Sequence, residues 1–282
     1  MSRTLAGTPV SEALQGAVTA IAAAGCETPR LDAEVLLADV LGVGRERLLI
    51  DPALEVRGPA VRAYQDAVRR RAVERQPVAY ITGRRGFRHI ELSVDGRALI
   101  PRPETELLVE VGLALAPGTA VLDVCTGSGA VALALKHERP DLEVAGSDLS
   151  EAALELAREN GERLALDVRW LQADLLEGIP DGFAAVLANP PYVADGERPS
   201  LAPEILRHEP SQALFAGPDG LAVIAPLIAQ AGARPGIGTI AIEVGAGQAE
   251  PVAAMLAGGG FPSVRFEADL AAIKRVVIGE RG

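Results

Sequence analysis

A chain of 282 residues, 49% hydrophobic and 23% charged, has the length and composition for one large or two modest globular domains with a sizeable core. Its net charge of −11 is uneven: residues 1–75 carry 10 charges of each sign, and the rest carries 17 positive against 28 negative. The acidic second part argues against a broad nucleic-acid cleft, no uncharged apolar run reaches membrane-spanning length, and the two distant cysteines, Cys26 and Cys125, give no disulfide framework. The N-terminus has one early arginine, Arg3, and no apolar leader core, so a cytoplasmic location is the expectation. His89, His137 and His208 are scattered without ligand spacing, and no metal is expected.

Residues 1–75 read as a helical domain. Val10, Leu14, Ala17, Val18 and Ile21 fall on one helix face, with Ser11 near its start and Gly25 at its stop. Leu31, Val35, Leu36 and Val40 repeat the pattern and end at Gly42. Val61, Tyr64, Val68 and Ala72 mark a third helix. No catalytic constellation is visible here, which suggests a substrate-recognition or packing module. Within residues 76–100 the period changes. Val78–Ile81, then Gly83, then Ile90–Val94 with Asp95 and Gly96, predicts a β-hairpin linker. The arginines at 69, 70, 71, 75, 84, 85 and 88 read as a solvated helix face.

From residue 101 to 282 strands and helices alternate. The strands are expected at 120–125, 143–147, 168–173, 184–188, 238–244, 264–267 and 275–278. Helix-period segments lie between most of them, as at 130–136, 151–160 and 221–231. The fold class is therefore α/β, a mostly parallel sheet with helices on both faces.

The first of these strands runs through a glycine turn, Cys125-Thr-Gly-Ser-Gly129, into a helix. Gly127 and Gly129 permit positive φ and close approach of backbone to a ligand. Asp148 follows nineteen residues after Gly129, at the end of the next strand, where a carboxylate can accept both ribose hydroxyls of a nucleoside cofactor. The run Gly127-Ser-Gly129-Ala-Val-Ala132 also fits a loose dinucleotide fingerprint, so a nicotinamide or flavin enzyme stays open at this point. Three features favour S-adenosylmethionine. Asp123 is placed to hold the cofactor's ammonium group, and Asp174 ends the third strand, where it can accept from the adenine amino group. The third is Asn189-Pro-Pro-Tyr192, which ends the fourth strand.

That tetrad suits methylation of a planar NH2 nitrogen. Two prolines in series stiffen the backbone and supply no N–H. The Asn189 side-chain oxygen and the Pro190 carbonyl can each accept one amide hydrogen, with Pro191 rigidifying the loop. Tyr192 offers a flat face against the amide plane.

From Arg30-Leu-Asp-Ala-Glu34 to about Gly279 the chain resembles the protein-(glutamine-N5) methyltransferases of peptide-chain release factors, the HemK family. The resemblance rests on Pro77-Val-Ala-Tyr-Ile-Thr-Gly83, Ile100-Pro-Arg-Pro-Glu-Thr-Glu106, Thr126-Gly-Ser-Gly129, Asn189-Pro-Pro-Tyr192, His208-Glu-Pro210 and Asp219-Gly220. The second segment discriminates against the related ribosomal-protein methyltransferases, which share the tetrad. The resemblance implies a helical N-terminal domain, a hairpin linker and a seven-stranded class I methyltransferase domain. It also implies a glutamine substrate in a Gly-Gly-Gln loop. S-adenosylmethionine would lie against Asp123, Cys125, Thr126, Gly127, Ser128, Gly129, Asp148, Asp174, Leu175 and Asn189, leaving as S-adenosylhomocysteine.

The sequence departs from the family at Gly86 and Arg88, where a Glu and a Trp are usual, which bears on hairpin packing. Cys125 replaces a glycine and is expected to be extended, because a side chain disfavours positive φ. Leu175 replaces an aromatic residue, and Asp269-Leu-Ala-Ala-Ile-Lys-Arg275 differs at positions read as structural. The expected activity is methylation of a release-factor glutamine amide, with neither membrane nor direct nucleic-acid binding. The alternatives are an adenine-N6 or guanine-N2 methyltransferase, a ribosomal-protein glutamine methyltransferase, and a binding module on the same fold.

Overall fold

The chain divides into two units, each with its own core. The computed structural model describes residues 7–51 and 53–282; Arg3, on which part of the N-terminal expectation rests, lies outside them. The first unit comprises the described residues up to Gly83 together with Ala202–His208, and the second comprises Arg84–Leu201 and Glu209–Gly282. Among the described residues no helix is long and apolar enough to cross a membrane.

The first unit is built from α1 (Val10–Ala23), α2 (Pro29–Leu41), α3 (Arg45–Ile50), α4 (Pro59–Ala72), α5 (Val78–Thr82) and a two-residue strand pair, β1 (Thr8–Pro9) with β2 (Glu55–Val56). Val10, Leu14, Ala17 and Ile21 of α1 are buried at helical spacing and pack with Leu36, Leu37, Leu48, Tyr64 and Ala67. The Tyr64 hydroxyl donates to the Ala33 carbonyl at 3.1 Å, so this aromatic brings its own polar partner into the core. Gly42 caps α2 with φ of +63°, as its place after the apolar pattern suggests.

One sequence expectation fails here. Val78–Ile81 is not a strand but a single helical turn. Pro77 fixes its start, and the Pro77 carbonyl accepts from the N–H groups of Tyr80 and Ile81. The Thr82 hydroxyl bonds back to the Val78 carbonyl, and Gly83 closes the turn at φ of +72°. β-branched composition reads as strand, but five residues between a proline and a left-handed glycine close a turn instead. The hairpin is displaced to β3 (Arg84–Phe87) and β4 (Ile90–Ser93), in the second unit.

The arginine cluster is only in part a solvated face: Arg69 and Arg84 are exposed, and the others are half-buried or buried. Arg71 is buried and meets Asp32 at 2.6 Å and Glu204 at 3.1 Å. Arg75 meets the other oxygen of Glu204 at 2.6 Å. Glu204 sits on α9 (Pro203–His208), which these pairs hold in the helical unit, helped by His208 Nε2 against the Glu74 carbonyl at 2.8 Å. Arg88, at the hairpin turn with φ of +49°, pairs with Glu138 at 2.5 Å and with Glu110. These ion pairs of Arg88 tie the hairpin down.

The second unit carries a seven-stranded sheet in the order β10-β11-β9-β8-β5-β6-β7. Its strands are β5 (Ala120–Val124), β6 (Glu143–Asp148), β7 (Arg169–Gln172), β8 (Ala185–Ala188), β9 (Thr239–Glu243), β10 (Ser263–Ala268) and β11 (Lys274–Glu280). β5 to β9 pair in parallel; β11 runs antiparallel to both β9 and β10. The helices are α6 (Glu106–Leu113), α7 (Ala130–Glu138), α8 (Glu151–Leu164), α10 (Ile224–Gly232) and α11 (Ala249–Gly258). Each of the seven strands lies where the sequence places it, within two residues at either end.

Alternation sorts the strand residues by face. Leu122, Val124, Val186, Ala188, Ile240, Ile242 and Val277 share a core with α10 and α11. Asp123, Leu187 and Glu243 point the other way, toward α6 and α7. The chain enters the sheet at β5, proceeds to β6 and β7 on one side, then crosses to β8 on the other. The crevice between β5 and β8 is thus the topological switch point, where open α/β sheets bind their ligands.

Candidate active site

A cavity opens at that switch point. It is lined by residues 97–105 in part, by 123–128 after β5, by 147–150 at the end of β6, by 173–175 after β7, and by Asn189 and Pro191 after β8. Pro210, Gln212, Ala213 and Val223 line it too, as do Ala130, Val131 and Ala153. Of the site residues expected from sequence, Asp123, Cys125, Thr126, Gly127, Ser128, Asp148, Asp174, Leu175, Asn189 and Pro191 line this one cavity. Gly129, Pro190 and Tyr192 are not among its lining residues.

The glycine turn is organised by the two aspartates. Asp123 is 2% exposed, and its Oδ2 accepts from the Thr126 hydroxyl at 2.6 Å and from the Ala132 N–H at 3.1 Å. Burial pushes its carboxyl up to about 7; those two donors oppose the shift and the charge of Asp148 adds to it. Asp148 accepts from the Gly127 N–H and from the Ser150 N–H, both at 2.9 Å. Burial raises it as well, against the pull of those N–H groups. Each carboxylate oxygen accepts more than one hydrogen bond, so Asp148 can anchor the loop and still receive hydroxyl donors.

Gly129 is obligatory for a different reason from Gly127. A Cβ on Gly129 would meet Trp170 at 2.9 Å and Leu133 at 3.0 Å, with φ at +84°. A Cβ on Gly127 would project toward Ala98 at 3.9 Å, so its bareness keeps the cavity wall low. Gly129 thus serves packing beneath the turn, and Gly127 serves the cavity.

Cys125 contradicts the expectation of an extended backbone. Its φ is +58°. The chain must turn there because the next residue is held twice: Thr126 N–H donates to the Ser147 carbonyl at 2.9 Å, and its hydroxyl to Asp123. Those bonds outweigh a left-handed cost of about 1–2 kcal/mol. Burial and the charges of Asp148, Asp123 and Asp174 push the Cys125 thiol above its ordinary range, so it stays neutral. Leu175 is also left-handed, at φ of +55°, and is buried against the sheet core beside exposed Asp174.

The tetrad is held from several sides. Asn189 Nδ2 donates to the Thr105 hydroxyl oxygen at 3.1 Å. The Tyr192 hydroxyl donates to Glu243 Oε1 at 3.2 Å, and its backbone carbonyl accepts from Gln248 Nε2 at 3.0 Å. Gly220 passes so close that a Cβ would lie 2.1 Å from the Tyr192 carbonyl oxygen. Glu209, 5% exposed, accepts from the Ile100 N–H at 3.2 Å and from Arg102 at 2.6 Å, joining two motifs over a hundred residues apart. Burial pushes Glu243 up to about 7; the Thr105 and Tyr192 hydroxyls and Arg275 oppose this, and Glu104 adds to it.

Thr105, Glu209, Glu243 and Gln248 had no role in the sequence reading. Thr105 and Glu209 sit inside quoted motifs, and Glu243 is an acid inside an otherwise apolar strand. That last signal could have been found.

The residues present fit an S-adenosylmethionine-sized nucleoside ligand. The hydroxyls of Ser128 and Ser147, both lining the cavity, are buried without a hydrogen-bond partner. Asp148 offers an acceptor beside a side-chain-free Gly127. Among the described residues no group of three or more His, Cys, Asp or Glu side chains could hold a metal ion.

Comparison with known proteins points to one family. Residues 12–83 match the family model of the PrmC N-terminal domain, and residues 103–224 match the methyltransferase small domain. A release factor glutamine methyltransferase of Deinococcus radiodurans is 39% identical over 95% of this chain and 97% of its own length. One from Mycolicibacterium smegmatis is 42% identical over 79% of this chain and 80% of its own. Among solved structures, a T. thermophilus 16S rRNA methyltransferase in complex with AdoMet and guanosine has the same fold, with a TM-score of 0.51 at 20% identity. It covers 71% of this chain and 50% of that one.

Proposed function

This chain belongs to the release factor glutamine methyltransferases, and from that premise we propose that its switch-point cavity holds S-adenosylmethionine while Asn189 and Pro190 hold the substrate glutamine. The enzyme transfers a methyl group from S-adenosylmethionine to the side-chain amide N5 of a release-factor glutamine. The glutamine is that of the Gly-Gly-Gln loop, S-adenosylhomocysteine is the second product, and no metal takes part. Release factors are the protein partner, with neither membrane nor nucleic acid, and a cytoplasmic location accompanies that partner.

The observation that carries the clamp is the Asn189 hydrogen bond. With Nδ2 given to Thr105, Oδ1 is the free end of the side-chain amide and can only accept. The Pro190 carbonyl is the second acceptor. A substrate NH2 group offers two hydrogens, one for each. An amide nitrogen is a poor nucleophile because its lone pair is delocalised. Two fixed acceptors draw density toward nitrogen and hold it in line with the methyl-bearing sulfur. Bound S-adenosylmethionine supplies an electrophilic methyl and a neutral leaving sulfide, so positioning and electrostatics carry the rate. Asp148 takes the ribose hydroxyls, Asp174 the adenine amino group and Asp123 the methionine end, with Cys125, Thr126, Ser128 and Leu175 shaping the wall. Tyr192, its hydroxyl fixed by Glu243, presents its ring to the amide plane. No base acts before transfer. The methylated nitrogen is acidic and loses its proton to water.

Asn189→Ala tests the clamp. Loss of one electrostatic contact that strengthens in the transition state lowers rates by about 10²–10³. Single-turnover methylation should fall by that factor, with release-factor affinity changing much less. Near wild-type single-turnover rates would remove the tetrad from the chemistry.

A further inference from the structure

We propose that Thr105 and Glu243 are positioning residues for methyl transfer, forming a buried relay that fixes which way the Asn189 amide faces. The inference rests on the amide clamp described above. An asparagine side chain has two near-isosteric orientations, with oxygen or nitrogen toward the substrate. Only one suits the reaction. With Nδ2 turned inward, two NH2 groups would face each other and the substrate would lose an acceptor.

Thr105 selects the productive orientation because its oxygen accepts from Asn189 Nδ2 at 3.1 Å. A hydroxyl alone is a poor selector, since it can also donate to Oδ1 in the opposite orientation. It selects only if its own hydrogen is committed elsewhere. Thr105 and the Glu243 carboxyl are both buried, the hydroxyl acts on that carboxyl, and the relay assigns the hydroxyl hydrogen to it. Glu243 also accepts from the Tyr192 hydroxyl at 3.2 Å, so the first and last residues of the tetrad are set by one carboxyl.

The burial of this group argues that it has such a task. Glu243 is 1% exposed and Thr105 is 3% exposed. Glu243 Oε2 has no hydrogen-bond partner. Arg275, whose charge favours ionised Glu243, is itself paired with Asp269 at 2.8 Å, and Glu104 repels that carboxyl. An apolar residue at the end of β9 would serve the core better than a half-satisfied carboxyl. The arrangement makes sense if its product is the orientation of Asn189 and Tyr192.

Single-turnover methylation of intact release factor by the full chain tests the relay through a double-mutant cycle. Thr105→Val removes the acceptor at constant shape. One neutral hydrogen bond of ordinary strength corresponds to a loss of about tenfold in rate. Half-saturation by release factor should change by less than about twofold, since the loss falls on the bound complex. Thr105→Ser, which keeps the hydroxyl, should recover most of the rate. In an Asn189→Ala background Thr105→Val should cost nothing further. Should calorimetry show that the valine variant no longer binds S-adenosylmethionine, Thr105→Ala makes the same deletion without added bulk.

Wild-type rates for the Thr105 variants beside a slow Asn189→Ala would overturn the relay and leave the clamp intact. Losses that multiply in the double mutant would also overturn it, because Thr105 would then act independently of Asn189. Wild-type rates for Asn189→Ala would instead overturn the clamp on which the relay rests.

Discussion

Residues at the ends of four neighbouring strands do most of the work proposed here, and each was chosen by position as much as by type. Asp148 is the clearest case. Its two oxygens already receive backbone N–H groups from Gly127 and Ser150, so it shapes the turn before any ligand arrives. A carboxylate receiving two hydroxyls adds charge-assisted bonds of about 1.5–3 kcal/mol each at most. Asp148→Ala should weaken S-adenosylmethionine binding at least tenfold, as measured by calorimetry, with the circular dichroism spectrum unchanged. Unaltered affinity would take Asp148 out of the site. The carboxylates and the tetrad were legible because each lies at or close to the end of a strand of the alternating pattern. Thr105 was not, because its hydrogen bond to Asn189, 84 positions away, leaves no trace in either neighbourhood. The left-handed backbone of Cys125 is not legible in the sequence because it is set by two hydrogen bonds of the neighbouring Thr126, one of them to Ser147 on the adjacent strand.

Elements were read well where hydrophobic period and length agreed. The central strands β5, β8 and β9 lie in nearly continuous apolar runs, the pattern of strands buried on both faces. The reading failed at short elements, where a single turn decides. Val78–Thr82 is helical because of its flanks, not its composition. The placement of α9 was beyond reach, since it depends on a carboxylate at 204 meeting arginines at 71 and 75. That cluster gives a prediction at this scale. Arg71 is 7% exposed in its side chain and pairs with both Asp32 and Glu204. Removing one partner of a buried pair costs about 3–5 kcal/mol, because the remaining charges stay buried. Arg71→Ala should therefore lower the urea-derived stability by that amount. A loss below about 1 kcal/mol, the range of exposed pairs, would show that the cluster is solvated after all.

For the whole molecule, two buried carboxyls set an unusual pH dependence. Asp123 and Glu243 rise from ordinary values of 3.8 and 4.5 to about 7 in the folded chain. A folded value above the unfolded one means that the native state binds the proton more tightly. The stabilisation is complete below the unfolded values and is lost as pH rises through about 7. Ligand-free protein should lose stability between pH 5 and pH 8, at a slope of up to about 1.4 kcal/mol per pH unit for each group. Glu243→Gln, which cannot ionise, should flatten that slope in chemical-denaturation curves. An unchanged slope would show that Glu243 does not titrate in this window.

Methylation itself is the act of the whole chain, and one measurement tests the central claim most directly. Purified full-length protein is incubated with labelled S-adenosylmethionine and a mixture of release factor, ribosomal proteins and nucleic acid, and the label is mapped by mass spectrometry. The account predicts a single added methyl on the side-chain nitrogen of the Gly-Gly-Gln glutamine. Label on a base, on a ribosomal protein or on another release-factor residue, with that glutamine unmodified, would contradict it.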